Sequence, residues 1–117
     1  MANLTPLTHI SGFIGAALVD ADSSLVLGTA GGGALLDLDV ASAGNSEVVR
    51  AKRKTMDMLK LKTSIEDILI TLGDQYHLIR PFEKNAGVFL YLALSRAQAN
   101  LGMARLELKA FEKTVEV

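Results

Sequence analysis

The sequence predicts a single α/β domain built on a five-stranded antiparallel sheet, with elements in the order β-β-α-β-β-β-α. Three observations support this fold class. Five short apolar runs are bounded by turn residues, which is typical of strands. Two longer segments carry apolar residues at spacings of three and four, the period of an amphipathic helix. The last three runs are joined by short connections, which favours antiparallel neighbours.

Composition limits the classes of function. The 117 residues fit one domain, 1–117, with a short N-terminal segment (1–11) and a core (12–117). Cysteine is absent, which excludes disulfides and cysteine zinc sites and favours a reducing compartment. The 12 basic and 13 acidic residues give a net charge of −1. We therefore expect no nucleic-acid partner, because such binding rests on excess Lys and Arg.

The N-terminus does not have the pattern of a targeting segment. Residues 1–19 contain no Lys or Arg, whereas a secretory signal begins with positive charge. Polar residues and glycines also interrupt this segment, and a membrane-spanning helix needs about 20 predominantly apolar residues. We expect no membrane insertion and a cytoplasmic location.

The first two runs predict a β-hairpin. Gly12–Asp20 and Leu25–Thr29 flank the polar cluster Asp20–Ser24, which is rich in turn residues. Because the first run is apolar on both faces, its strand is expected inside the sheet. The cluster lacks the Gly and Glu that a calcium loop needs at its sixth and twelfth positions. The glycines that follow, Gly28–Gly33, lack the Lys and Ser/Thr of a phosphate-binding loop, so we interpret them as a flexible exit from the strand.

The next segment predicts a long helix capped by Asp37 or Asp39. Its apolar stripe comprises Val40, Gly44, Val48, Ala51, Thr55 and Leu59. Val49 and Met56 lie on one shoulder of this stripe and widen it. The outer face is expected to carry Arg50, Arg53, Lys54 and Asp57.

Three more strands and a second helix complete the predicted order. The strands are Ser64–Leu72, Gln75–Pro81 and Val88–Leu94, and the continuously apolar last run is expected at the centre of the sheet. Ser95 is the predicted N-cap of the second helix. The stripe of that helix comprises Leu101, Ala104, Leu108, Phe111 and Val115.

The residues offer little for catalysis. His9 and His77 lack the spacing of a metal site. Ser64, His77 and Asp67 could be imagined as a triad, but no nucleophile elbow accompanies them. We expect no catalytic residues, no bound metal and no cofactor, and so a binding protein rather than an enzyme.

Four stretches carry a family pattern, and they are GFIGAALVDADSSLVLGTAGGG, SEVVRAKRKTMDMLKLKTSIEDILITL, QYHLIRPF and VFLYLAL. Together they resemble the roadblock family, which includes dynein light chains and many bacterial proteins. The resemblance implies a profilin-like sheet between helices, with Ser64–Leu72 at one edge. It also implies a homodimer in which these edges pair and the long helices lie side by side. One departure is the short segment before the first strand, where family members commonly have a longer helix.

The residues themselves favour a dimer. An exposed apolar edge strand invites pairing with another chain, although Ser64–Leu72 could also be an internal strand of a monomer. The expected dimer interface comprises Val49, Met56, Ile65, Ile68, Leu69, Ile70 and Leu72.

Family members bind, regulate or scaffold small Ras-like GTPases, so the resemblance implies a non-catalytic module of this kind. The expected partner-binding residues are Arg50, Arg53, Lys54 and Asp57, which could instead be a solvated helix face. A profilin-like small-ligand sensor and a purely structural self-associating subunit are the alternatives.

Overall fold

The computed structural model describes residues 2–34 and 36–116. A 3₁₀ helix at Thr5–His9 is followed by β1 (Phe13–Asp20), β2 (Val26–Gly31), α1 (Leu38–Met58), β3 (Ile68–Thr71), β4 (Gln75–Pro81), β5 (Val88–Ser95) and α2 (Leu101–Glu112). The predicted order β-β-α-β-β-β-α is confirmed.

The five strands form one antiparallel sheet in the order β2-β1-β5-β4-β3. As predicted, β5 lies at the centre, β1 is internal, and the strand that follows α1 is at an edge. Successive side chains of a strand point to opposite faces, and each face has its own core. Leu90 packs into the core beneath α2, whereas Tyr91 packs into the core beneath α1.

The first hairpin turns where the sequence predicts. The Ser24 amide donates to the Asp20 carbonyl at 2.8 Å, and the Asp22 amide donates to the Asp20 carboxylate at 3.0 Å. At the end of β2, the chain passes through three glycines with positive φ, Gly31 to Gly33, of which Gly31 is the most confined. A Cβ there would lie 2.6 Å from the Ile14 carbonyl oxygen, so only glycine fits this exit from the strand.

The predicted strand Ser64–Leu72 is too long, because β3 begins only at Ile68. Ile68 pairs with Ile79, so continued pairing would place Glu66 opposite Pro81. The Phe82 amide bonds to β5, which turns the backbone of Pro81 toward β3. Proline has no N–H to donate there. The Glu66 carbonyl instead accepts a hydrogen bond from Arg80 Nη1 at 3.4 Å, and the ladder stops.

The long helix is rotated relative to the prediction. Asp37 is its N-cap and accepts from the amides of Asp39 and Val40. Val49, expected on a shoulder, faces the sheet with 0% of its surface exposed, and Met56 is also buried. The predicted stripe lies on the outside instead, with Val40 68% and Leu59 62% exposed.

The second helix packs as its pattern predicts. Ala104, Leu108 and Phe111 are buried against the sheet. The N-cap prediction is wrong by five residues. Asn100, not Ser95, caps the helix, and its side-chain oxygen accepts from the Met103 amide at 3.1 Å. Asn is as good an N-cap as Ser, and Ser95 is the last residue of β5.

The N-terminal segment is an integral part of the fold. Leu4, Leu7 and Ile10 are buried in the core beneath α2. The Ala2 amide donates to the Leu27 carbonyl at 2.9 Å, so the segment also bonds to β2. The short segment therefore covers part of one face of the sheet and part of the β2 edge.

This packing predicts that Leu7→Ala lowers the free energy of unfolding by about 2–5 kcal/mol, because it removes a fully buried leucine side chain. His9→Ala is the matched control, since His9 is exposed on the same 3₁₀ helix. Urea unfolding of both variants measures the difference. Equal stability of the two variants would show that the segment does not contribute to the core.

Candidate protein-protein interface

The two edges of the sheet differ. The N-terminal segment bonds to β2, whereas the outer side of β3 has no bonded neighbour within residues 2–34 and 36–116. The Leu72 amide donates to the Gln75 carbonyl, which sets the alternation along β3. By that alternation, the backbone groups of Ile68 and Ile70 face β4, and those of Leu69 and Thr71 point outward. An open edge of this kind is a template for another strand.

A second unpartnered surface runs along α1, and we call it the α1 stripe. It comprises Val40, Gly44, Val48, Ala51, Thr55 and Leu59. All of these residues are exposed except Val48, which is half-buried. Their side chains are apolar or small, and small residues let two helices approach closely. A helix that carries one apolar face toward the sheet and another toward solvent has more apolar surface than one core uses.

The α1 stripe and the β3 edge border the same side of the sheet. Asn45 lies one turn before Val48 on α1, and its side chain lies near the Tyr91 hydroxyl. That hydroxyl lies 3.2 Å from His77 Nδ1 on β4, the neighbour of β3. The stripe therefore lies on the flank of α1 that is turned toward β4 and β3. Ile70, half-buried on this face of β3, continues the apolar surface.

The expected interface residues fall into three groups. Ile68, Leu69 and Ile70 lie on β3, and Leu72 follows directly after it with 39% of its surface exposed. Val49 and Met56 belong to the chain's own interior, so they offer a partner almost no surface. The apolar surface that α1 exposes is the α1 stripe. Ile65 lies before β3, in the connection from α1.

The four expected partner-binding residues do not form one patch. A guanidinium nitrogen of Arg50 donates to the Ala21 carbonyl, which ties α1 to the end of β1. Arg53 is half-buried and lines a cleft together with Asp57. Lys54 is exposed on the open side of α1.

That cleft has a volume of ≈ 690 Å³ and lies between the end of α1, residues 61–66 and the end of β4. At its border, Arg80 is only 4% exposed. Its Nε donates to Glu112 of α2 at 2.5 Å, and its Nη2 lies 3.5 Å from Glu83. The second Glu112 oxygen accepts from the Glu83 amide at 3.0 Å. This buried ion pair joins β4 to α2.

The sequence interpretation missed both the cleft and this ion pair. One signal was present, because alternation along β4 assigns Leu78, Arg80 and Phe82 to the same apolar face. A buried arginine in such a row requires an acidic partner. The partner, Glu112, lies 32 residues away on α2, and no local pattern indicates it.

The imagined catalytic triad is not assembled. His77 Nε2 donates to Gln75 Oε1 at 2.8 Å, and Asp67 is bound by Arg105 at 3.0 and 3.2 Å. Burial lowers the pKa of His77, opposed by the nearby Asp74 carboxylate. Burial raises the pKa of Tyr91 to about 12, opposed by the nearby Asn45 side chain. Both groups are therefore neutral near pH 7, and the pair holds β4 to β5.

Within residues 2–34 and 36–116, no three His, Cys, Asp or Glu side chains cluster in a way that could hold a metal ion. In the same part of the chain, neither helix combines the length and the apolar character that crossing a bilayer requires.

Comparison with solved structures identifies the fold as that of Roadblock/LC7 domains. The Roadblock/LC7 domain from Streptomyces avermitilis superimposes with a TM-score of 0.79 at 17% identity, covering 94% of this chain and 88% of that one. Myxococcus xanthus MglB gives 0.78 at 16% identity, covering 92% and 83%. The gliding protein MglB from Thermus thermophilus gives 0.76 at 16% identity, covering 94% and 80%.

Comparison of the sequence itself finds no match, either among protein-family models or among curated proteins. At identities of 16–17% the structural likeness establishes the roadblock fold, and the resemblance seen in the sequence is confirmed at that level.

The Arg80 ion pair predicts an unequal response of its two carboxylates. Glu112→Gln should lower the free energy of unfolding by about 3–5 kcal/mol, because it leaves a buried guanidinium without its main counter-charge. Glu83→Gln is the control, with an expected loss below about 1 kcal/mol, since its side chain is 72% exposed. Chemical denaturation measures both values. Similar losses for the two variants would contradict this assignment.

Proposed function

We propose that this chain is a non-catalytic roadblock module that forms a homodimer and binds, regulates or scaffolds a small Ras-like GTPase. The observation that carries the proposal is that the open β3 edge and the α1 stripe border the same side of the sheet. A second copy can occupy both surfaces at once. A two-fold axis is the natural relation, because it brings the same surface of each copy together.

In the proposed dimer, the two β3 strands lie side by side and antiparallel. Leu69 and Thr71 of each copy contribute their outward N–H and C=O groups to the new ladder. The α1 stripes meet above the joined sheet, where Gly44 and Ala51 allow the helices to approach closely. The contact buries Val40 and Leu59, which are exposed in the single chain.

Several observations support self-association and a protein partner. One solved MglB structure with a TM-score of 0.80 at 17% identity is described as having a tetrameric arrangement. The roadblock resemblance implies GTPase binding, and the lack of cysteine favours a cytoplasmic location. The paired helices would present Lys54 twice on one platform, where charge steers the approach of a partner and sets its orientation.

The edge pairing is tested with Thr71→Pro. The substitution removes an N–H that points away from β4, so the ladder within the chain is retained while the ladder between copies loses a donor. We expect the dissociation constant of the dimer to rise at least about tenfold in sedimentation experiments. Thr71→Ala keeps the N–H and should change it little.

Thermal melting of the proline variant at low concentration verifies that the single chain stays folded. If the folded Thr71→Pro variant associates as tightly as Thr71→Ala, the copies do not pair through β3.

GTPase binding is tested by affinity capture from the source cells with GTP analogue or GDP present. We expect a small GTPase, identified by mass spectrometry, to be retained in one nucleotide state more than in the other. Lys54→Glu should weaken this retention while leaving the dimer intact. Lys62→Glu is the control, since Lys62 is exposed beyond the end of α1. Recovery of the chain alone in both states would instead indicate a purely structural subunit.

A further inference from the structure

The cleft described above is a direct result of the early end of β3. Because Pro81 cannot continue the ladder, residues 61–66 run apart from β4 and leave space beside it. Two arginines hold this connection at its far end. Arg80 bonds to the Glu66 carbonyl, and Arg105 binds the Asp67 carboxylate. The space is ≈ 690 Å³, within the range of small-molecule sites, about 300–1,000 Å³.

The cleft carries charges of both signs. Arg53 of α1 and Lys109 of α2 supply two cations, and Asp57 and Glu66 supply two carboxylates. In the part of the chain that the structure describes, none of these four side chains takes part in an ion pair. Arg80 also borders the cleft, but its charge is met by Glu112 and Glu83.

Apolar side chains also line the cleft, among them buried Met56 and Phe82 and half-buried Ile65. A ligand with several negative charges would be repelled by Asp57 and Glu66. A ligand with only positive charge would be repelled by Arg53 and Lys109. A purely apolar ligand would leave all four charges without partners, at a cost in free energy. The lining therefore complements a molecule with one charge of each sign on an apolar body.

We propose that this cleft binds a small zwitterion of the class of free α-amino acids. The ligand carboxylate is met by Arg53 and Lys109, its ammonium group by Asp57 and Glu66, and its side chain by the apolar lining residues. The ligand bridges α1, α2 and the connection into β3. The site does not depend on the proposed GTPase partner or on the dimer.

The purified chain alone is sufficient for the test. Amide ¹H–¹⁵N NMR spectra are recorded while the proteinogenic amino acids are titrated singly to millimolar concentration. We expect at least one to shift the amides of the cleft residues. For leucine, 4-methylpentanoate lacks the ammonium group and 3-methylbutylamine lacks the carboxylate, and each bound zwitterion has such a pair of analogues. Each analogue should bind at least about tenfold more weakly than its parent amino acid.

Variants locate the site. Lys109→Gln and Asp57→Asn should each weaken binding about tenfold, because each removes one charge-assisted contact. Lys113→Gln and Glu107→Gln are the matched controls, since both residues are exposed on or beside α2 and lie outside the cleft lining. The proposal is overturned if no amino acid shifts the cleft amides. It is equally overturned if inorganic phosphate or the singly charged analogues bind as tightly, or if the variants behave like their controls.

Discussion

Pro81 has no N–H to offer β3, and two features of the molecule depend on this. The ladder between β3 and β4 stops at Ile68, so the sheet has a short, open edge on that side. The connection from α1 is then free of the sheet and encloses the cleft. Arg80 replaces part of the lost hydrogen bonding, because its Nη1 donates to the Glu66 carbonyl. The positive charge of Arg80 is balanced by the Glu112 carboxylate. A backbone constraint at one residue thus shapes both the candidate interface and the candidate ligand site.

The two faces of the sheet are covered differently. On the side of α2, the N-terminal residues and the helix together bury the face of the sheet, and Ala2 bonds to β2. On the side of α1, a single helix packs its buried face against the sheet, and the α1 stripe remains exposed to solvent. Apolar surface and unpaired backbone groups therefore meet in one region. A second copy of the chain would satisfy both, which is why dimerisation forms the basis of the proposed function.

Much of the fold could be predicted, because alternation and helical period are local signals. The sequence indicated the order of the elements, the central place of β5, the Asp20–Ser24 turn and the buried face of α2, whereas the edge position of β3 was implied by the roadblock resemblance. It failed on α1, where two apolar faces compete and only the sheet decides which one turns inward, so Val49 was assigned to the wrong side. It also failed where a contact spans the chain, as between Arg80 and Glu112. The predicted β3 was too long because its apolar run was considered alone, without Pro81 on the neighbouring strand β4.

Sedimentation equilibrium of the unaltered chain tests the central claim most directly. The account predicts a particle of twice 12.5 kDa over a wide range of concentration, dissociating only on strong dilution. A particle of 12.5 kDa at every concentration would mean that the β3 edge and the α1 stripe remain open in solution. The roadblock fold would stand in that case, but the homodimeric platform proposed for the GTPase would not exist.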